Sequence, residues 1–203
     1  LALDKINNDM KSKQKMFRLL QGDVGSGKTI VSVIAALNAV KAGYQVAIMA
    51  PTEILAIQHY KYIEENFKNY CNAELLTSKT EYKIKKKILN NLSNNKINIL
   101  IGTHSLFQSR LSYNNLGLII IDEQHKFGVN QRKRLSDKGG DDCDVLVMSA
   151  TPIPRTMMMT IYGDMDISLI KTKPKNRKPI KTYSKNVSNI AEVIKFINKE
   201  ILN

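Results

Sequence analysis

Residues 22–29, "GDVGSGKT", bring three glycines, a lysine and a threonine together directly after the apolar run "FRLLQ". The spacing is G-x-x-x-x-G-K-[ST], and the helical run "TIVSVIAALNAVKAG" follows it, which is the setting a phosphate-binding loop requires. Gly22, Gly25 and Gly27 allow backbone N–H groups to curl around phosphate oxygens where side chains would clash, with Asp23, Val24 and Ser26 completing the loop. A helix opening near Lys28 points the positive end of its dipole at the same oxygens. Lys28 has the reach for β and γ phosphates, and the Thr29 hydroxyl is placed to ligate Mg²⁺. The plain alternative is a glycine turn at a strand–helix junction, and what the rest of the chain supplies decides between them.

A second group, "LIIIDEQH", sets Asp122 and Glu123 at the carboxyl end of an apolar strand, where an open α/β sheet presents its ligands. Asp122 is the candidate for holding Mg²⁺ through a water, and Glu123 for orienting and deprotonating an attacking water. Alone, two adjacent acids could be a solvated strand end; behind a phosphate loop they read as its partner. The third group, "SATPIPRT" at 149–156, again follows an apolar strand. Ser149 and Thr151 can hydrogen-bond a neighbouring loop such as the one carrying His125, making a switch that senses γ-phosphate. The same residues also suit a helix N-cap ahead of a proline.

Positioning these groups requires strands that end at one edge. The strand candidates are "FRLLQ" at 17–21, "QVAIMA" at 45–50, "AELLT" at 73–77, "INILIG" at 97–102, "LGLIIID" at 116–122, "DVLVMSA" at 144–150 and "DISLI" at 166–170. Most are continuous apolar runs, the pattern of strands covered on both faces. Helical patterns at 28–42, 53–68, 81–94 and 129–136 fall between them, which predicts a doubly wound α/β domain, its sheet mostly parallel with helices on both faces. The "KIKKK" run at 83–87 reads as a solvated helix face, and the methionines at 157–159 as core packing.

After Ile170 the texture changes to "KTKPKNRKPIK", a linker by its prolines, cations and lack of apolar period. A short strand candidate, "IKTYS", and the pattern "IAEVIKFINKEIL" follow, with Ile190, Val193, Ile194, Ile197 and Ile201 on one helical face. The expected organisation is a first domain over 1–171 and, over 172–203, a linker with the opening of a second. The start at Leu1 rather than Met suggests a piece of something longer.

Bulk properties narrow the class less. The 203 residues carry 43% hydrophobic content, ordinary for a globular chain, and no apolar run approaches the ~18–20 residues of a membrane span. Cys71 and Cys143 stand far apart without metal-ligand company, so they read as free thiols with no disulfide. The formal net charge of +13 suits a nucleic-acid partner, although a composition crowded with Asn, Ile and Lys produces it without selection for binding.

Taken in order, "GDVGSGKT", "APTEILAIQHY", "GTHSLFQ", "DEQHKFGVNQR" and "SATPIPRT" resemble the superfamily 2 helicases, and within them the RecG family of bacterial branched-DNA helicases. Transcription-repair coupling translocases and primosomal helicases are the near alternatives. The former usually has Phe after "GDVG" and "DEEQRFG" at the acidic motif, so Ser26 and "DEQH" favour the RecG family. A P-loop nucleotide switch is the rival from another class, and it has no need of the remaining loops.

The resemblance implies a RecA-like P-loop NTPase domain that couples hydrolysis of ATP with Mg²⁺ to remodelling branched or forked DNA in recombination and repair. It implies catalytic roles for Lys28, Asp122, Glu123 and His125, and coupling of nucleotide state to the interface between motor domains by Gln124, His125, Ser149 and Thr151. Backbone contacts to DNA fall to Pro51, Thr52 and Glu53 and to Gly102, Thr103 and His104. Lys126 stands where the family commonly has Arg, so a cation is kept without bidentate bonding. His59 reads as a surface or satisfied core histidine. The implied parent is a monomer in the bacterial cytoplasm, and a first motor domain alone is expected to be nearly inactive without the second, which carries an arginine finger.

Overall fold

Seven apolar segments cannot hide their backbone polar groups singly; paired in one sheet they satisfy each other and bury both faces. The computed structural model describes residues 1–107, 111–122, 143–151, 165–172, 182–184 and 186–201. Among them the strands are β1 (Phe17–Gly22), β2 (Gln45–Met49), β3 (Ala73–Leu76), β4 (Ile99–Gly102), β5 (Leu116–Ile121), β6 (Asp144–Ser149) and β7 (Asp166–Ile170). The helices are α1 (Ala2–Met10), α2 (Lys28–Lys41), α3 (Glu53–Phe67), α4 (Tyr82–Ser93) and α5 (Ile190–Ile201). The helix candidate at 129–136 and the methionines at 157–159 lie outside the described residues.

All seven strands run parallel in the order β3-β4-β2-β5-β6-β1-β7. The pleat divides the core. Leu20, Ile48, Ile101, Ile120 and Met148 face one layer with Ile6, Val33, Ala36, Ala56 and Ile63 from α1, α2 and α3. Their strand neighbours Leu19, Met49, Leu100, Ile121 and Val147 face the other, with Ile88 and Leu92 of α4. Each buried aliphatic side chain contributes roughly 1.5–3 kcal/mol, so the central strands are the fixed platform. On α4, Lys83, Lys86 and Lys87 are exposed while Ile88 and Leu92 are buried, as the solvated-face reading expects.

The helix α1 precedes the first segment read from the sequence. Nine residues with no side-chain N-cap are too few to hold a helix alone. Packing holds it: Ile6 is fully buried against α2, Asn38 donates to Asn7 at 3.0 Å, and Asp9 pairs with the buried Arg18 of β1. Arg18 also donates to Ser168 at 3.0 Å and pairs with Asp166 at 3.3 Å, tying α1, β1 and β7.

The chain divides into two compact units, Leu1–Lys173 and Pro174–Asn203. In the second, Thr182–Ser184, the described part of the "IKTYS" candidate, form no strand. A strand needs a partner to pair with, and the described neighbours supply only a 3-10 turn and a helix. The α5 helix forms where its period predicts; Ile190, Ile194, Ile197 and Ile201 are all exposed, and Tyr183 meets Phe196 edge to face at 5.5 Å.

Candidate nucleotide site

The chain leaves β1 at Gly22 and enters α2 at Lys28 through a loop that only this residue pattern permits. Gly25 and Gly27 have φ of 76° and 95°, left-handed values that cost other residues roughly 1–2 kcal/mol. At Gly22 a β-carbon would lie 2.5 Å from Ser26 Oγ and 3.1 Å from Ile170 Cβ, so a side chain there would break the packing of the loop on β7. Gly27 caps α2 without any side-chain hydrogen bond, so the first N–H groups of a 14-residue helix point into the loop unclaimed by a cap. Lys28 Nζ donates to the Gly22 and Asp23 carbonyls at 2.8 and 3.0 Å. Ser26 Oγ is buried and has no hydrogen-bond partner among the described residues.

Beside β1 lies β6, whose end carries the third motif. Ser149 Oγ and Thr151 Oγ1 lie 2.9 Å apart, and the Thr151 N–H donates to Ser149 Oγ at 3.2 Å. Gln21, the residue before the phosphate loop, donates from Nε2 to the Thr151 carbonyl at 2.9 Å. The described bonds of Ser149 and Thr151 therefore run to each other and to β1. His125 and its loop, with Glu123, Gln124 and Lys126, lie outside the described residues. Gln21 carried no signal in the sequence beyond being a polar residue at a strand end.

The next strand, β5, delivers Asp122. Its position is two strand spacings from β1, about 10 Å, a distance suited to a nucleotide phosphate chain and its metal. The Asp122 N–H donates to the Met49 carbonyl at 2.8 Å, which fixes the backbone. Its Oδ2 accepts from His59 Nε2 at 2.8 Å, with the two side chains only 13% and 9% exposed. His59 is thus a satisfied buried histidine, as its type suggested, but the partner is the candidate metal ligand. The available signal was its place on α3, on the stripe shared with buried Ala56 and Ile63. The Thr29 hydroxyl and Asp122 carboxylate are hard oxygen donors of the kind Mg²⁺ takes, and the glycine cradle with its orphaned Ser26 hydroxyl suits phosphate oxygens. The residues present fit Mg·ATP.

The other half of the same edge holds the loops after β2, β3 and β4. Thr52 Oγ1 accepts from the Leu55 N–H at 3.3 Å and so caps α3, directly after Pro51. Glu53 accepts from Ser78 Oγ at 2.7 Å and pairs with Lys79 at 3.3 Å. The Ser78 bond, opposed by desolvation and aided by Lys79, holds the Glu53 carboxyl below its ordinary value. Thr103 is buried, His104 opens the 3-10 turn His104–Phe107, and Ser105 Oγ donates to the Leu76 carbonyl at 2.5 Å. The structure thus gathers Pro51–Glu53 and Gly102–His104 beside one another and apart from the phosphate loop. A cavity of about 850 Å³ lined by Lys11–Lys15, Tyr44 and Asp144 opens at the opposite, amino-terminal edge of the strands, away from all of these motifs.

A sequence model of the family described as DEAD/DEAH box helicase matches residues 4–160. The ATP-dependent DNA helicase RecG of Thermotoga maritima is 48% identical over 202 residues, covering 99% of this chain and 26% of that protein. RecG of Bacillus subtilis is 48% identical over 201 residues, covering 98% of this chain and 29% of the relative. The chain therefore spans between a quarter and a third of the length of such relatives. A solved structure of RecG bound to a three-way DNA junction superposes with a TM-score of 0.82 at 43% identity, covering 99% of this chain and 27% of that one. The DEAD-box helicase Mss116 bound to ssRNA and UDP-BeF has a TM-score of 0.65 at 16% identity, covering 85% of this chain and 40% of that one, a likeness of fold. With its matched segment spanning the phosphate loop, Asp122 and the Ser149–Thr151 motif, the chain belongs to the DEAD/DEAH box helicase family.

Proposed function

We propose that this chain is the nucleotide-binding motor domain of an ATP-driven, RecG-like DNA helicase that remodels branched or forked DNA. The observation that carries the reading is the loop from Gly22 to Thr29, which brings two left-handed glycines, a helix start without a side-chain cap and a buried orphan hydroxyl into one turn between β1 and α2. Two strands away, Asp122 supplies the acid such a site needs. In this reading Lys28 exchanges its two loop carbonyls for β- and γ-phosphate oxygens, and Thr29 and Asp122 hold Mg²⁺, Asp122 through the oxygen that His59 does not engage. Bound Mg·ATP would supply the phosphoryl group and neutralise its developing charge. Glu123 is proposed to orient the attacking water, and Gln124 and His125, with the Ser149–Thr151 turn, to relay nucleotide state. The Gln21–Thr151 bond ties that turn to the strand feeding the phosphate loop.

The Pro51–Glu53 and Gly102–His104 loops are proposed to track the DNA backbone. Residues 1–171 are the first motor domain in this reading, and 172–203 the linker and start of a second. The proposed setting is a monomeric cytoplasmic enzyme; among the described residues no helix is long and apolar enough to cross a membrane.

The decisive test is Lys28→Ala. A fluorescent ATP analogue titrated into both proteins should bind the wild type and fail to saturate the variant, with unchanged circular dichroism. Equal affinity would sink the nucleotide assignment.

A further inference from the structure

We infer that His59 is a positioning residue for the metal site: its imidazole sets the orientation of the Asp122 carboxylate and tethers it to α3. The inference rests on the reading of Asp122 as a Mg²⁺ ligand.

Three observations converge. First, the contact is short and nearly dry: His59 Nε2 lies 2.8 Å from Asp122 Oδ2, with the side chains 9% and 13% exposed. An ionised carboxylate only accepts, so Nε2 carries the proton and donates. Second, both residues are held from behind. His59 lies on the buried stripe of α3 with Ala56 and Ile63, and the Asp122 N–H is bound to Met49 of β2. With the aspartate backbone fixed, side-chain rotation is what remains, and the histidine bond selects one orientation. Engaging Oδ2 directs Oδ1 as the oxygen offered to a metal. Third, the tether has a second end. The α3 helix begins at Glu53, about 9 Å from His59 at 1.5 Å per residue. That start is capped by Thr52 and tied through Glu53 to Ser78 and Lys79 in the loop after β3. One rigid helix therefore joins the acid at the metal site to the loops on the other half of the sheet edge.

A histidine serving the core alone could be satisfied by any carbonyl. Partners that orient a metal ligand behave differently: their loss typically lowers metal affinity ~10–100-fold without touching the ligand itself. Packing and positioning predict different results for variants that keep a polar side chain.

The experiment uses the 203-residue chain and the variants His59→Gln, His59→Asn, His59→Ala and Asp122→Asn. Affinity for a fluorescent ATP analogue is measured in excess chelator and then across a Mg²⁺ titration, with Mn²⁺ electron paramagnetic resonance as a direct metal readout. Metal-free nucleotide affinity of the three His59 variants should stay within about twofold of wild type. The Mg²⁺ needed for half-saturation should rise about tenfold in His59→Ala and His59→Asn, as expected for a lost orienting partner. His59→Gln, whose amide nitrogen reaches as far as Nε2, should restore most of it. Should His59→Ala fail to fold, the Gln and Asn variants decide. Indistinguishable Mg²⁺ dependence in those two, whether both normal or both impaired, overturns the positioning role. An unaltered Mg²⁺ dependence in Asp122→Asn overturns instead the assignment of the metal ligand on which the inference stands.

Discussion

Cys143 shows how burial alone sets the behaviour of one residue. It is fully buried just before β6, and desolvation pushes its thiol up to about 12 from an ordinary 9.0, with Lys15 pulling it down and Asp144 up. Between those two values the folded chain keeps a proton that the unfolded chain has released. Its contribution is therefore complete below pH ~9 and is lost as pH rises toward the folded value, by at most about 1.4 kcal/mol per pH unit. Buried Tyr113 is pushed up by desolvation as well and acts in the same direction. Urea midpoints should fall steadily above pH 9, and Cys143→Ala should flatten that fall while starting about 1 kcal/mol less stable at pH 7 from the cavity left behind. An unchanged slope would show that Cys143 does not retain its proton there. At this scale the glycine turn between β1 and α2 could be read in advance, because residue type allows the left-handed backbone at Gly25 and Gly27. The pairing of His59 with Asp122 could not, because 63 positions separate them.

Elements are joined here by a few buried polar side chains. Gln45 opens β2 at zero exposure. Its amide donates to the Leu92 and Ile97 carbonyls at 2.8 and 2.9 Å, and its oxygen accepts from Asn114 and Asn115 N–H at 2.7 and 3.1 Å. The end of α4, the approach to β4 and the start of β5 are thereby held by one side chain. Gln45→Leu fills similar space but strands several buried groups, each costing roughly 1–3 kcal/mol. A loss of about 3 kcal/mol or more in equilibrium unfolding is expected, and a loss below about 1 kcal/mol would mean that solvent already serves these groups. Element types were legible because continuous apolar runs and 3.6-residue periods survive any tertiary arrangement. The start of β4 at Ile99 rather than Ile97 was not: Asn98 turns aside to meet Asn72, accepting from its N–H at 2.8 Å.

For the whole molecule, the charge of +13 suits a polyanionic partner. If the Pro51–Glu53 and Gly102–His104 edge contacts DNA through phosphates, binding should be indifferent to sequence, and log K should fall linearly with log salt. The slope should be near −0.9 for each phosphate that a lysine or arginine neutralises on duplex DNA. Fluorescence anisotropy on two unrelated duplexes from 50 to 200 mM salt tests this, conditions over which several contacts lose orders of magnitude in affinity. Affinity that ignores salt, or strong preference for one sequence, would contradict a backbone-tracking surface. Thr103→Ala and Thr52→Ala should each weaken binding on both duplexes alike, with Thr52→Ala also costing about 1 kcal/mol of stability as a lost N-cap.

Sequence alone was sufficient for the seven strands, the glycine turn from β1 into α2 and the acid at the end of β5, because each depends on short-range pattern: apolar continuity, glycine spacing and a residue at a strand terminus. Strand order is a different kind of fact. The order β3-β4-β2-β5-β6-β1-β7 arises from which faces bury best together, and it alone brings Gly22, Ser149 and Asp122 to successive strand ends. Tertiary packing also decided α1, too short to form without Ile6 buried and Asp9 on Arg18. It decided the Gln21–Thr151 and His59–Asp122 bonds as well, since contacts between residues distant in the chain exist only once the sheet has closed the distance.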